Sequence, residues 1–186
     1  AHVGSGRYCS SRSVPPAMRA MRDAAEELRD AIARVADDPD KKGTDEGDVR
    51  KMIEGGADVN YNLKTGDPRY NGTPLHKASV VGCVALVKLL LEKGADVEAV
   101  RSSTGFGPFG TTTTENSLHL ACEHGNTDVV RLLLEAGARP DTCKSVGWAR
   151  QTPLELARGG GHEAAARLVE EAAARRAAEG GGCVIA

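Results

Sequence analysis

The sequence predicts an all-α solenoid of about four stacked helix pairs, with extended hairpin fingers between the pairs and an N-terminal capping helix. Three observations carry that prediction. The phrase Thr73-Pro74-Leu75-His76 returns as Asn116-Ser117-Leu118-His119 and as Thr152-Pro153-Leu154-Glu155. The first two copies each lead to a Gly-Ala pair, Gly94-Ala95 and Gly137-Ala138, after the same interval of 21 positions. Finally, Leu86, Val87, Leu90 and Leu91 recur as Val129, Val130, Leu133 and Leu134, at a spacing that puts all four on one helical face. A unit this small cannot bury such a face alone, so successive units must stack.

Taken in order, residues 1–16 hold Arg7, Arg12, Ser5, Ser10, Ser11, Ser13 and two prolines without any acid, and read as a leader with no fixed structure. The same composition suits an organelle transit peptide. Residues 17–43 form an amphipathic helix and an acidic loop. Met18, Met21, Ala25, Leu28, Ile32 and Val35 step by three and four, and the polar face mixes both signs of charge, unlike that of a membrane-surface helix. This helix is expected to cover the open N-terminal end of the stack and to supply the first unit's leading helix.

Residues 44–178 form the repeat domain, with a capping unit to about residue 60 and repeats from about 73, 116 and 152. In the capping unit Val49, Met52 and Ile53 hold the second-helix positions. In the repeats, the Thr73 hydroxyl can cap exposed amides and Pro74 suits the first helical position. Gly82 and Gly125 can then take the left-handed conformation that lets a second helix fold back. The last unit has no Gly-Ala pair and runs through Ala-rich, charged residues to Ala178. Residues 179–186 are a flexible tail.

Thr-Pro-Leu-His, the mid-unit glycine, the Val/Leu face and Gly-Ala-Asp-Val at Gly56 to Val59 and Gly94 to Val97 together resemble ankyrin repeats. The resemblance covers roughly residues 44 to 170, with an atypical first unit and a degenerate last one. It implies a binding scaffold whose finger tips and adjoining first helices meet a partner. It also implies that His76 and His119 hydrogen-bond neighbouring backbone and lock adjacent units, a structural role.

Composition narrows the function further. A net charge of −2 and the lack of a basic stripe give no argument for nucleic acid. No apolar run approaches membrane-spanning length. Five unevenly spaced cysteines, with Cys83 and Cys122 inside helical units, suggest reduced thiols and a cytoplasmic protein. Gly105-Phe106-Gly107-Pro108-Phe109-Gly110 spells G-x-G-x-x-G, but no helix opens directly after it, so it reads as a loop tip. Asp38 to Gly43 resembles the start of a calcium loop, yet Lys42 and Val49 stand at two ligand positions. Asn71-Gly72-Thr73 is a glycosylation sequon by letter only. His119, Cys122 and His124 lack metal-ligand spacing, and no nucleophile and base can be paired. The expectation is a protein that is not an enzyme, with no cofactor and no metal.

The fingers carry the binding prediction. Gly56 to Thr73, Gly94 to Asn116 and Gly137 to Thr152 span 17, 22 and 15 positions, where the resemblance implies about 12. They hold every aromatic except Tyr8: Tyr61 and Tyr70, then Phe106 and Phe109, then Trp148. Aromatics on loops are typical interface anchors, although rings packed on their own finger are the competing reading. Lys64, Asp67, Arg69, Arg101, Glu115, Arg139, Asp141, Lys144 and Arg150 give the fingers a net charge of +3. The expected binding residues are Tyr61, Arg69, Tyr70, Phe106, Phe109, Trp148 and Arg150, and the expected partner is an apolar protein segment with some acidic character.

Cys183-Val184-Ile185-Ala186 forms a C-a-a-X end behind a three-glycine tether, which makes Cys183 a farnesylation candidate and the protein a peripheral membrane one. Only Arg175 and Arg176 lie nearby as a second membrane signal. The leading function is a non-enzymatic protein-protein interaction scaffold. The alternative is an ankyrin regulatory fragment of a larger enzyme, of kinase or ubiquitin-ligase type, which the lack of an initiating Met supports.

Overall fold

The computed structural model describes residues 20, 23–24, 27–28, 30–32, 45–62, 72–104, 112–146 and 149–178. The leader, the acidic loop at 38–43, the Gly105 to Gly110 segment and the tail lie outside these residues. Helical residues between 20 and 32 come first. They are followed by α1 (Asp45–Glu54), α2 (Pro74–Val81), α3 (Val84–Glu92), β1 (Val100–Thr104), β2 (Thr112–Asn116), α4 (Ser117–Glu123), α5 (Thr127–Glu135), β3 (Lys144–Val146), β4 (Ala149–Gln151), α6 (Pro153–Gly159) and α7 (Glu163–Ala178).

The helices form two layers. One row packs α2 on α4 on α6, and the other packs α1, α3, α5 and α7 in succession. The core between them is aliphatic and continuous from Leu28 and Ile32, through Val49, Leu86, Val87, Leu90, Val129, Val130 and Leu133, to Ala165 and Val169. The repeated face is narrower than four residues. Leu86, Val87 and Leu90 are buried, as are Val129, Val130 and Leu133, but Leu91 and Leu134 are only half-buried at its edge.

Local sequence accounts for how each α2-type helix starts. The Thr73 amide donates to His76 Nδ1 at 3.1 Å, and the Thr73 hydroxyl lies 2.8 Å from the same atom. Asn116 Oδ1 accepts from the His119 amide at 3.2 Å. In the last unit, Thr152 Oγ1 accepts from the Glu155 amide at 3.2 Å while Glu155 Oε2 accepts from the Thr152 amide at 2.8 Å. Glu155 thus supplies with a carboxylate the contact that imidazoles supply in the earlier units. Gly82 and Gly125, at φ of 77° and 70°, end the first helices of their units as the sequence predicts.

Adjacent units are tied by side chains that reach across the gap, backwards from Asn126 and forwards from Asn60 and Glu98. Asn126 Nδ2 donates to the carbonyls of Ser79 and Val80 at 2.8 and 3.0 Å, capping the end of α2 from the next unit. Asn60 Nδ2 donates to Gly94 O at 3.0 Å, and its Oδ1 accepts from the Asp96 amide at 2.7 Å. Glu98 Oε1 accepts from the Arg139 amide at 2.8 Å.

The second and third fingers are more than hairpins. Their strands join into one antiparallel sheet in the order β1-β2-β3-β4, so an otherwise helical stack carries a sheet on its side. The threonines from Thr112 to Thr114 open strand β2. Its β-branched residues favour extended backbone once the lengthened finger gives them a partner.

Candidate partner-binding face of the fingers

Antiparallel pairing sets Arg101 opposite Glu115 and Lys144 opposite Gln151, while Thr114 opposite Ser145 brings the two hairpins side by side. This register assembles a line of charges across the two fingers. Arg101 Nε donates to Glu115 Oε1 at 2.7 Å, with Arg101 Nη2 on the same oxygen. Lys144 Nζ pairs with Glu115 Oε2 at 2.8 Å. The same ammonium donates to Glu123 Oε2 on α4 at 2.8 Å. Glu115 and Lys144 are buried, with only 5% and 8% of their surfaces exposed.

Burial alone would raise the Glu115 carboxyl, but the Lys144 ammonium and the Arg101 guanidinium beside it outweigh that and hold it below the usual carboxylate range. Burial would likewise lower Lys144, yet Glu115 and Glu123 raise it above its ordinary value. The row is therefore charged throughout at neutral pH, with signs alternating from β1 to β2 to β3 to α4.

His76 and His119 flank this row. Burial and the Arg101 charge push His76 down to about 4, and burial brings His119 to about 4 as well. Both rings are neutral at pH 7. Both Nε2 atoms are buried without a hydrogen-bond partner among the described residues, and finger backbone lies beside each ring, at Glu115 and Ala99 for His76 and at Thr142 and Gln151 for His119. Gly72, at φ 111°, packs so tightly here that a Cβ would lie 3.2 Å from Arg101 Cβ and His76 Cγ.

The row corrects one sequence expectation. Arg101, Glu115 and Lys144 do not project as exposed finger charge, because they satisfy one another inside the molecule. Arg139 and Asp141 also pair, at 3.1 Å. Of the residues expected to bind, Tyr61 is half-buried at the root of the first finger, its amide donating to Asp58 O at 3.2 Å. Arg150 is exposed on β4, two fingers away. Arg69, Tyr70, Phe106, Phe109, Trp148 and Cys183 lie outside the described residues. Sequence reasoning missed Val100, which is 50% exposed at the start of β1. Neighbouring side chains on a strand point to opposite faces, so Val100 looks away from Arg101 and the buried row.

Chemistry has little to work with among the described residues. No three His, Cys, Asp or Glu side chains gather as a metal site there. Cys122 is buried, and burial pushes its thiol up to about 12, leaving it inert as a nucleophile. His124 Nδ1 is occupied by Leu120 O at 3.0 Å.

Residues 70–102 match the family model for an ankyrin repeat, and residues 101–177 match the model for ankyrin repeats in three copies. The chain is similar to E3 ubiquitin-protein ligase Ufd4 of Drosophila melanogaster, 36% identical over 59% of this chain and 3% of the ligase. It is 37% identical to mouse protein phosphatase 1 regulatory subunit 27 over 39% of this chain and 41% of that protein. To ankyrin repeat and SOCS box protein 5 of Bos taurus it is 37% identical, over 50% and 23% respectively. The chain spans only a small part of the length of the ligase relatives that it matches. Repeated phrase, two-layer stack and family models agree that residues 70 to 177 are ankyrin repeats and that the chain belongs with the ankyrin-repeat proteins.

Proposed function

We propose that this chain is a non-enzymatic protein-binding module that takes its partner on the joined second and third fingers and the inner helices beside them. The observation that carries the reading is the buried row from Arg101 to Glu123. It fixes two overlong fingers to each other and to α4, so that they offer a preformed surface instead of two independent loops. Val100 and Arg150 stand on that surface, and Tyr61, Arg69, Tyr70, Phe106, Phe109 and Trp148 are proposed to complete it as anchors. With Arg101 and Lys144 neutralised internally, an acidic preference in the partner rests on Arg150 and Arg69.

The helical residues before α1 are proposed to close the N-terminal end of the stack, and α7 the other. Cys183 is proposed as a farnesylation site that tethers a cytoplasmic protein to a membrane. Affinity enrichment with wild-type bait, beside bait carrying alanine at Tyr70, Phe106 and Trp148, tests the binding face. Partners retained equally by both baits would move recognition off the fingers. Intact mass from a eukaryotic host tests the lipid, since an unmodified mass beside a prenylated control removes it.

A second reading has its own support. The matched relatives include ligases of which this sequence spans 3%, so the repeats would serve as the recognition part of a larger enzyme. The reading frame of the native transcript discriminates between the two.

A further inference from the structure

The two long fingers join by a rule that their register shows. The second strand of one finger takes the first strand of the next, antiparallel, through two residue pairs, Thr113 with Val146 and Thr114 with Ser145. Counted back from the helix starts at Asn116 and Thr152, Ala149, Arg150 and Gln151 hold in the third finger the places of Thr113, Thr114 and Glu115 in the second. Backbone at Gln151 lies beside His119 as backbone at Glu115 lies beside His76, so the equivalence is structural too. Yet no fourth finger meets β4. After α3 and α5 the chain turns through Gly94 and Gly137, at φ of 81° and 95°, before a finger sets out. Ala173 holds that position in the last unit, and α7 continues as helix to Ala178. The ladder of turn contacts ends closed there. Asp141 holds the place of Asn60 and Glu98, and in lieu of a further turn amide it pairs with Arg139 and, at 3.9 Å, with Arg176 of α7. The sheet ends open. At its β1 edge Asn62 Nδ2 donates to Val100 O at 3.0 Å, whereas among the described residues no strand lies beyond β4.

We propose that β4 takes an extended, acidic segment of a partner protein as a fifth antiparallel strand. This rests on the joined fingers being the binding face, and it fixes how the partner lies on them. The segment stands to β4 as β3 stands to β2, so two of its residues face Ala149 and Arg150 as Val146 and Ser145 face Thr113 and Thr114. Main-chain hydrogen bonds to the open edge supply the affinity. The charge of the segment follows from a change within the repeated pattern. Where the second finger carries Thr114 the third carries Arg150, exposed on the edge strand, and a cation there favours a carboxylate directly opposite. Gln151 replaces Glu115, so β4 has no use for a cation like Lys144, which β3 brings to Glu115. The same arginine disfavours a second copy. Two β4 strands paired about their centres would set Arg150 against Arg150.

An acetylated and amidated heptapeptide of alternating valine and threonine, with glutamate at its centre, tests the edge when titrated into the isotope-labelled full chain. The amides of Ala149 and Arg150 should shift while those of β1 stay in place. A peptide with lysine for the glutamate should bind about fivefold more weakly, and Arg150→Glu should reverse that preference. Methylating two successive backbone nitrogens at the peptide's centre blocks both of its edges and should abolish binding. Equal binding of the methylated peptide overturns the proposal, since side chains alone would then hold it. Unshifted Ala149 and Arg150 overturn it, as does a preference that Arg150→Glu leaves unchanged. So do shifts that need no peptide and grow with protein concentration, which would make a second copy the occupant. The strand and the finger face fail separately. If alanine at Tyr70, Phe106 and Trp148 abolishes partner capture while β4 does not respond to the peptide, the face stands and the strand is removed.

Discussion

The imidazoles of His76 and His119 make the stability of the stack a function of mild acid. Each ring titrates near its ordinary value when unfolded and at about 4 when folded, so between those values the unfolded chain binds more protons. The stability they contribute is full at neutral pH and falls as the pH drops from about 6.5 towards 4. Urea unfolding at pH 7 and pH 5 should differ by roughly 2 kcal/mol per ring, and the difference should shrink when either is replaced by glutamine. Glu115 offers a sharper contrast. Glu115→Gln leaves Arg101 without its counter-charge and Lys144 with Glu123 alone, and should cost about 3 kcal/mol in the same measurement. Replacing Arg101, Glu115 and Lys144 together with apolar residues of similar size should cost far less. Equal losses would mean that the row contributes packing rather than charge compensation.

At the scale of elements, each helix pair was legible because its information is local. Thr73 and Pro74 mark a start, Gly82 a stop, and the Val/Leu spacing a face; all act within one unit and appear where the letters place them. What was not legible is joined across distance. Arg101 and Glu115 are 14 positions apart, and Lys144 and Glu123 are 21 apart in different kinds of element. Nothing near any of the four announces its partner, so as a sequence they count only as surface charge. The ties between units fall in between. Asn126 follows a repeat glycine at a fixed place, yet only the stack brings its amide to Ser79 and Val80. Asn126→Ala should cost about 1–3 kcal/mol by leaving those carbonyls without a donor. A thermal melt checks it, and a change within error would mean that water replaces the amide.

For the whole molecule, the joined sheet converts a row of separate loops into one body. Hydrogen exchange should show amides of β1, β2 and β3 opening together, and Glu115→Gln should expose all three to a similar degree. Independent protection of the two hairpins would remove the argument for a preformed binding surface.

Repeat arrays ordinarily change length by gaining or losing whole units, because each unit meets only its neighbours. The line from Arg101 to Glu123 constrains that freedom. Its members are drawn from consecutive units, so excising or inserting one unit in the middle of the stack would leave a carboxylate or a cation in the interior without its opposite. A stack that carries this row tolerates a change of length between its second and third fingers less well than at its ends, and its two long fingers act as a pair.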